Sequence, residues 1–170
     1  MNDQPNIDEL ILEGRHAFVE NRMAEAIETF SRVLESDPKN ETALKTRGSA
    51  YLRSGKAAEA AADFHRMVHI TPQDARSHHL HGLALEKCGD DKRAMEALNT
   101  ALDLDPDYGA AYMSRANLHA KMGNESEASE DSAMVTHITQ RNIEMAANEG
   151  NVWRTNHMQV EGMLETELQR

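Results

Sequence analysis

Histidine is the residue type in this chain whose placement most suggests chemistry, with nine copies among 170 residues. His65 and His69 are four residues apart, a spacing that puts two side chains on one face of a helix, as in helical pairs of metal ligands. His78, His79 and His81 form a second local group. Neither group is accompanied by the cysteines or the carboxylate motif of a known metal site. We therefore assign the histidines structural roles and predict neither a metal ion nor another cofactor.

The other reactive side chains lack the neighbours that catalysis requires. Cys88 is the only cysteine, so an internal disulfide is excluded, and Lys87 is close to it merely in sequence. We expect a semi-buried small side chain at Cys88 rather than a reactive thiol. No nucleophile–base pair, phosphate-binding loop or pair of catalytic carboxylates stands out. We predict that the chain is not an enzyme and has no catalytic residues.

The composition favours helices and argues against broad attraction to polyanions. Hydrophobic residues make up 39% and aromatic residues 4%, so the core must consist largely of Ala, Leu, Met, Ile and Val. Ala, Leu and Met, with the abundant Glu, Lys and Arg, are good helix formers. The formal net charge of −11 disfavours nonspecific binding to nucleic acid or anionic membranes. The start of the chain lacks a secretory pattern and no apolar run reaches the length of a membrane span, so we expect a cytoplasmic protein.

Several residue types recur at an interval of 34 residues. Gly14, Gly48 and Gly82 form one such column. Three further columns are Ala26, Ala60, Ala94 and Ala128; Pro38, Pro72 and Pro106; and Gly55, Gly89 and Gly123. Four columns with one period are typical of stacked structural repeats, each of which needs its neighbours to bury its apolar faces.

One period contains two helical patterns with a glycine between them. Apolar residues recur at steps of three and four within 41–55 and again within 57–70. Gly55 stands where the residue just past a helix end often takes a positive φ. Pro72 ends the second helix, and Asp74 is placed to cap the next one. The glycine and alanine columns would let the two helices of a pair approach closely.

These columns resemble the tetratricopeptide repeat, most fully in the series Gly48, Tyr51, Ala60, Phe64 and Pro72. The resemblance covers four repeats, at 7–40, 41–74, 75–108 and 109–142. It implies an all-α fold, a right-handed superhelix (α-solenoid) of helix-turn-helix units whose first helices line a concave groove.

The fourth repeat and the segment after it depart from the pattern. Gln140 stands where proline ends the earlier repeats, and Trp153 continues the phase of the 34-residue period. We predict a capping helix over about 141–156, with Trp153 covering the end of the core, and a weaker amphipathic tail helix over 158–168. The resulting division is an N-terminal flank at 1–6, the repeats at 7–142, and the capping and tail helices at 143–170.

Transferred to the family fold, the sequence predicts a basic groove in an acidic protein. The inner face of the first helices would carry six basic and two acidic residues, whereas the four second helices hold fifteen acidic and six basic ones. The basic residues are Arg15, Lys45, Arg53, Arg76, Lys87 and Lys121. The same face would offer hydrogen bonds from Ser49, His79 and Asn117 and apolar contact from Leu52, Leu80, Leu83 and Met113. Such a groove suits an acidic peptide or a free C-terminal carboxylate.

We therefore predict a noncatalytic protein–protein interaction module that binds a segment of another protein, does not bind nucleic acid and has no membrane span. Two alternatives stay open. One is a small dedicated chaperone of the secretion or assembly type. The other is a structural scaffold that self-assembles as a homo-oligomer through residues 141–170. Solvated charges that bind nothing are the simplest competing interpretation of the basic face.

Overall fold

The computed structural model describes residues 6–168, with side chains described as far as Asn148. Over this range the chain forms eight α-helices and no strands. The helices are α1 (Ile7–Val19), α2 (Met23–Ser36), α3 (Glu41–Arg53), α4 (Ala57–Ile70), α5 (Ala75–Lys87), α6 (Asp91–Leu104), α7 (Gly109–Lys121) and α8 (Glu125–Leu168). Each helix packs on the next, and α1 also contacts α3, as α5 contacts α7. The array is an α-solenoid in which the first helices of the pairs lie along one side.

The turn inside each helix pair contains one residue in the left-handed conformation. Gly55, Gly89 and Gly123 have φ angles of 73°, 81° and 80°, which confirms the backbone role predicted for this column. Asn21 takes the same conformation in the first pair, with a φ of 62°. Asparagine is among the few residues that tolerate it. Because a Cβ atom at any of the three glycines would meet nothing within 4 Å, backbone geometry and not packing selects glycine there.

The other glycine column has a packing role. A Cβ atom at Gly48 would lie 2.7 Å from the Phe64 ring, and one at Gly14 would lie 2.9 Å from the Phe30 ring. Ala60, on the opposing helix, has no exposed surface. The close approach of the two helices in a pair is therefore confirmed, and a phenylalanine fills the space that the glycine leaves.

The helices next to the connection between two pairs end and begin where the sequence predicts. α4 ends at Ile70, two residues before Pro72. Asp74 then caps α5, because its carboxylate accepts hydrogen bonds from the backbone N–H of Ser77 at 3.0 Å and from the Ser77 hydroxyl at 2.7 Å. Burial alone would raise the pKa of Asp74, but these hydrogen bonds and the neighbouring Arg76 hold it below its ordinary value.

The fourth pair differs from the prediction at its C-terminal end. The helix expected over 141–156 is present, but it is the continuation of α8, which runs unbroken from Glu125 to Leu168. Gln140 keeps the backbone N–H that proline would lack, and its side chain donates to Glu144 one turn later at 2.9 Å. The Trp153 side chain, predicted to cover the core, lies outside the described side chains.

Candidate functional site

Two neighbouring clefts open on the side formed by the first helices. The first, called here the Arg15 cleft, has a volume of about 390 Å³ and is lined by Arg15, Phe18, Val19, Thr42, Lys45, Thr46 and Ser49. The second, called the Arg76 cleft, has a volume of about 450 Å³ and is lined by Glu41, Thr42, Lys45, Met67, Thr71, Asp74, Ala75, Arg76, Asp105 and Tyr108. Thr42 and Lys45 line both, so the clefts adjoin along α3.

The Arg15 cleft combines two cations with an apolar wall. No acidic residue is among its lining residues, and Arg15 and Lys45 are both exposed. Val19 is 81% exposed, and the ring of Phe18 lies 5.1 Å below the guanidinium of Arg53. This arrangement suits a carboxylate that is carried next to an apolar group.

The Arg76 cleft is mixed in charge. Glu41, Asp74 and Asp105 line it together with Lys45 and Arg76. Asp74 and Asp105 belong to the connections before α5 and after α6, so a count along the first helices alone does not include them. Basic side chains are therefore in excess among the lining residues of the Arg15 cleft and not among those of this one.

The remaining predicted cations are engaged by other parts of the chain. Arg53 donates to the Asn21 side chain at 2.7 Å, and Lys121 pairs with Asp91. Lys87 lies 3.4 Å from its neighbour Glu86. These three lysine and arginine residues line neither cleft, and the same is true of the exposed Met113 and Asn117 on α7.

His79 and Leu80 have places different from those expected. His79 is only 7% exposed, and its ring nitrogens lie 3.0 Å from the Tyr108 hydroxyl and 2.8 Å from the Ser114 hydroxyl. Burial, followed by the nearby Arg76, lowers the pKa of His79. The prediction that His79 offers hydrogen bonds to a ligand is therefore wrong, because both nitrogens are used inside the protein. Leu80 packs against the main apolar core.

A buried arginine cluster joins three helices and was missed from the sequence. Nε and Nη2 of Arg47 donate to the two carboxylate oxygens of Asp63 at 2.8 and 2.7 Å, and Nη1 donates to the Ser31 hydroxyl at 2.9 Å. The hydrogen bond to Asp63 raises the pKa of Arg47. We call this arrangement the arginine clasp. It links α3 to α4 through a bidentate ion pair and to α2 through the hydroxyl.

The clasp recurs two periods later. Arg115 donates to Asp131 at 2.8 and 2.7 Å and to Asn99 at 2.7 Å, which links α7 to α8 and α6. Each arginine is followed by its aspartate after 16 residues, and the two arginines are 68 residues apart. That repeated spacing is the sequence signal that would have revealed the clasps.

Histidines occupy the equivalent positions in the period between the clasps. His81 is in the column of Arg47 and His65 is in the column of Ser31, and their rings are 5.3 Å apart. Burial, helped by His65, lowers the pKa of His81 to about 4. Among the residues that the structure describes, no group of three or more His, Cys, Asp or Glu side chains is arranged to hold a metal ion.

Two further expectations concern accessibility. Cys88 is exposed, contrary to the semi-buried position predicted for it, because it is the C-cap residue that follows α5. As for the membrane, none of the described helices has both the length and the apolar character that crossing a bilayer requires. The cytoplasmic location stays a prediction.

Comparisons with known proteins agree with the repeat pattern. Two family models described as tetratricopeptide repeat match residues 11–75 and 75–108. Tetratricopeptide repeat protein 6 of Homo sapiens is 30% identical over 114 residues, which are 65% of this chain and 22% of that protein. The aligned part of the chain thus spans about a fifth of that relative.

Solved structures of MamA share the fold. The structure described as MamA 41-end from Desulfovibrio magneticus RS-1 has a TM-score of 0.76 and 22% identity, covering 82% of this chain and 78% of that one. A further crystal structure of MamA has a TM-score of 0.71 at 22% identity, covering 79% and 73%. At this identity the likeness concerns the fold. With the repeat columns, the paired helices and the family matches in agreement, the chain belongs to the tetratricopeptide repeat family and has the architecture of a protein–protein interaction scaffold.

Proposed function

We propose that the chain binds an acidic segment, or a free C-terminal carboxylate, of another protein at the Arg15 cleft, without catalysis and without a cofactor. The observation that carries the proposal is the pairing of Arg15 and Lys45 around a cleft lined by no acidic side chain. A carboxylate between two cations gains charge-assisted hydrogen bonds, which are stronger than neutral ones. The cleft is therefore a local site for anions on a protein whose formal net charge is −11.

Apolar and hydroxyl groups beside the two cations would add selectivity. An aliphatic side chain of the ligand would cover Val19 and the edge of Phe18, both of which line the cleft. The hydroxyl of Ser49 already donates to the Lys45 carbonyl at 2.8 Å, so it is left to accept a hydrogen bond from a ligand N–H. These features favour an acidic group adjacent to an apolar residue over a purely acidic run.

A longer ligand would continue along α3 into the Arg76 cleft, since Lys45 lines both clefts. Met113 and Asn117 are exposed on α7 and line neither cleft, so a ligand would have to extend past both clefts to reach them. Lys87 and Lys121 lie near Glu86 and Asp91 and would exchange those partners for such a ligand. The Arg15 cleft is the part of the groove on which the proposal depends.

Selection from a displayed library of random peptides with free C-termini tests the proposal. We expect enrichment of peptides that combine Asp, Glu or the terminal carboxylate with an aliphatic residue. Binding of a selected peptide should fall about tenfold or more when Arg15→Glu and Lys45→Glu are introduced together, because each change replaces attraction by repulsion. Affinity should also fall as salt is raised.

Arg32→Glu provides the matched control, since Arg32 is an exposed arginine on α2 that lines neither cleft. Selected peptides should bind this variant as they bind the unchanged chain. Enrichment without acidic or carboxylate preference, or binding that survives the double variant, would show that the Arg15 cleft is not the site.

Self-association through α8 is a second candidate, and it rests on a different observation. Ile143 and Met145 are 58% and 56% exposed, beyond the part of α8 that packs on α7. Light scattering on the full chain should then give a mass above that of the monomer, and a chain ending after Asn142 should be monomeric. The chaperone alternative has no separate observation in its favour.

A further inference from the structure

The middle of the array lacks the arginine clasp that joins helices on either side of it. At the positions that correspond to Arg47 and Asp63 the chain has His81 and Ala97, so neither the guanidinium nor the carboxylate is present. At the position that corresponds to Ser31 it has His65. Two imidazole groups, on α4 and α5, therefore occupy positions that belong to the clasp in the neighbouring repeats.

One of these imidazoles, that of His65, forms a hydrogen bond with the imidazole of His69, at a separation where one metal ion would take the place of the shared proton. His65 and His69 are one turn apart on α4, both are exposed, and their Nε2 atoms are 3.0 Å apart. Two nitrogens that each lie about 2.1 Å from one ion, at an angle of about 90°, are about 3.0 Å apart, whereas a tetrahedral angle would separate them by about 3.4 Å. The hydrogen-bonded nitrogens are therefore already spaced as neighbouring positions of a square-planar or octahedral ion would require.

The donor type agrees with the same class of ion. Imidazole nitrogen suits late first-row metals, and Ni²⁺ and Cu²⁺ combine high affinity for it with square-planar, tetragonal or octahedral geometry. His81 packs against the His65 ring with 5.3 Å between centroids, which restricts the orientation of that ring. Since no third protein ligand is already in place among the described residues, water would fill the remaining positions.

We propose that His65 and His69 form a two-histidine chelate for a late first-row divalent metal ion, Ni²⁺ or Cu²⁺, on the exposed face of α4. The two histidines line neither the Arg15 cleft nor the Arg76 cleft. The chelate is therefore independent of the peptide site, and either can exist without the other.

Calorimetric titration of the untagged full chain with NiCl2 tests the chelate. The chain is first treated with EDTA and dialysed. We expect one Ni²⁺ per chain, and affinity lowered about tenfold or more by His65→Gln and equally by His69→Gln, because either change leaves a single imidazole. His137→Gln is the matched control, since His137 is an exposed histidine on α8, and it should bind Ni²⁺ like the unchanged chain.

A measurement on the unchanged chain removes any dependence on how the variants fold. Substoichiometric Cu²⁺ should broaden the imidazole proton signals of His65 and His69 in NMR spectra before those of His16 and His137. Absence of binding heat, undiminished affinity in both chelate variants, an equal loss in His137→Gln, or broadening that begins at His16 or His137 would each overturn the proposal.

Discussion

His79 shows how one side chain supports the groove without touching a ligand. Its ring lies edge-on to Tyr108, with 5.1 Å between centroids, and its nitrogens bond to hydroxyls of Tyr108 and Ser114. Tyr108 in turn lines the Arg76 cleft. The buried imidazole thus joins α5 to α7 and holds one wall of the cleft in place.

The lowered pKa of His79 predicts a loss of stability in mild acid. Because the folded chain holds this imidazole neutral, the unfolded chain takes up the proton more readily once the pH falls below the ordinary histidine pKa of about 6.5. The stabilisation is complete above that pH and declines below it. Urea unfolding at pH 7.5, 6.0 and 5.0 should show a smaller decline for His79→Gln than for the unchanged chain.

Substitution by glutamine has an effect at neutral pH as well. His79→Gln should lower the free energy of unfolding at pH 7.5 by about 1 kcal/mol, through poorer hydrogen bonding to the two hydroxyls. His137→Gln changes an exposed histidine and should leave the pH dependence as it is. Equal declines with pH in the unchanged chain and in His79→Gln would contradict the assignment.

At the scale of the helices, two kinds of contact hold the pairs together. The glycine columns allow close apolar contact within a pair, as between Gly48 and Phe64. The arginine clasps then join a pair to the helix before it, as Arg47 does between Asp63 and Ser31. The close apolar contact buries hydrophobic surface. The clasp fixes the register of the helices, because both hydrogen bonds of a bidentate ion pair form in one register only.

Removal of the clasp arginine should be costly. In Arg47→Ala the Asp63 carboxylate, which is 3% exposed, would be left buried without its ion pair. Loss of one partner of a buried pair costs about 3–5 kcal/mol, so the free energy of unfolding in urea should fall by that order. Replacing both partners, as Arg47→Met with Asp63→Leu, should recover much of the loss because no buried charge remains.

An exposed ion pair supplies the comparison. Arg22 pairs with Glu20 and Glu25 at the surface, and these carboxylates stay solvated when the arginine is removed. Arg22→Ala should therefore unfold at nearly the urea concentration of the unchanged chain. A similar loss in Arg22→Ala and Arg47→Ala would mean that burial of Asp63 does not govern the effect.

For the whole molecule, the unusual feature is the length of α8. Its packed part reaches Ile138, which is 6% exposed, and Arg141, whose guanidinium lies 2.8 Å from the Asp107 carboxylate. The helix continues to Leu168. We therefore expect the four helix pairs to fold without the part of α8 that follows Arg141.

Two shortened chains test this expectation. A chain ending after Asn142 keeps Ile138 and the Arg141 contact and should unfold at nearly the temperature of the full chain, followed by circular dichroism. A chain ending after Met134 loses the buried Ile138 and the last turn on α7, and its unfolding midpoint should fall by several degrees. Equal destabilisation of both would show that residues beyond 142 also hold the array.

Much of the architecture follows from short-range requirements that a sequence displays. The left-handed turn at Gly55, the cap at Asp74 and the contact of Gly48 with Phe64 each depend on residues within one period, and all three were predictable. The same residues recur at these positions every 34 residues, so the columns predict both the helix pairs and their stacking. The absence of proline at Gln140 is visible in the sequence too, but the 34-residue phase predicts a separate capping helix after it, whereas α8 runs through.

Which polar side chains of the first helices stay accessible depends on the tertiary structure. Whether a cation stays accessible depends on partners that are distant in sequence, as when Arg53 donates to Asn21 and Lys121 pairs with Asp91. The same holds for His79, whose partners Tyr108 and Ser114 follow it by 29 and 35 residues, and for the acidic side chains that the connections bring into the Arg76 cleft. The sequence by itself determined the repeats, their turns and their close contacts, since those are local. Tertiary structure alone shows that two of the predicted basic residues, Arg15 and Lys45, line one cleft without an acidic side chain, because charge pairing between repeats depends on how the helices stack.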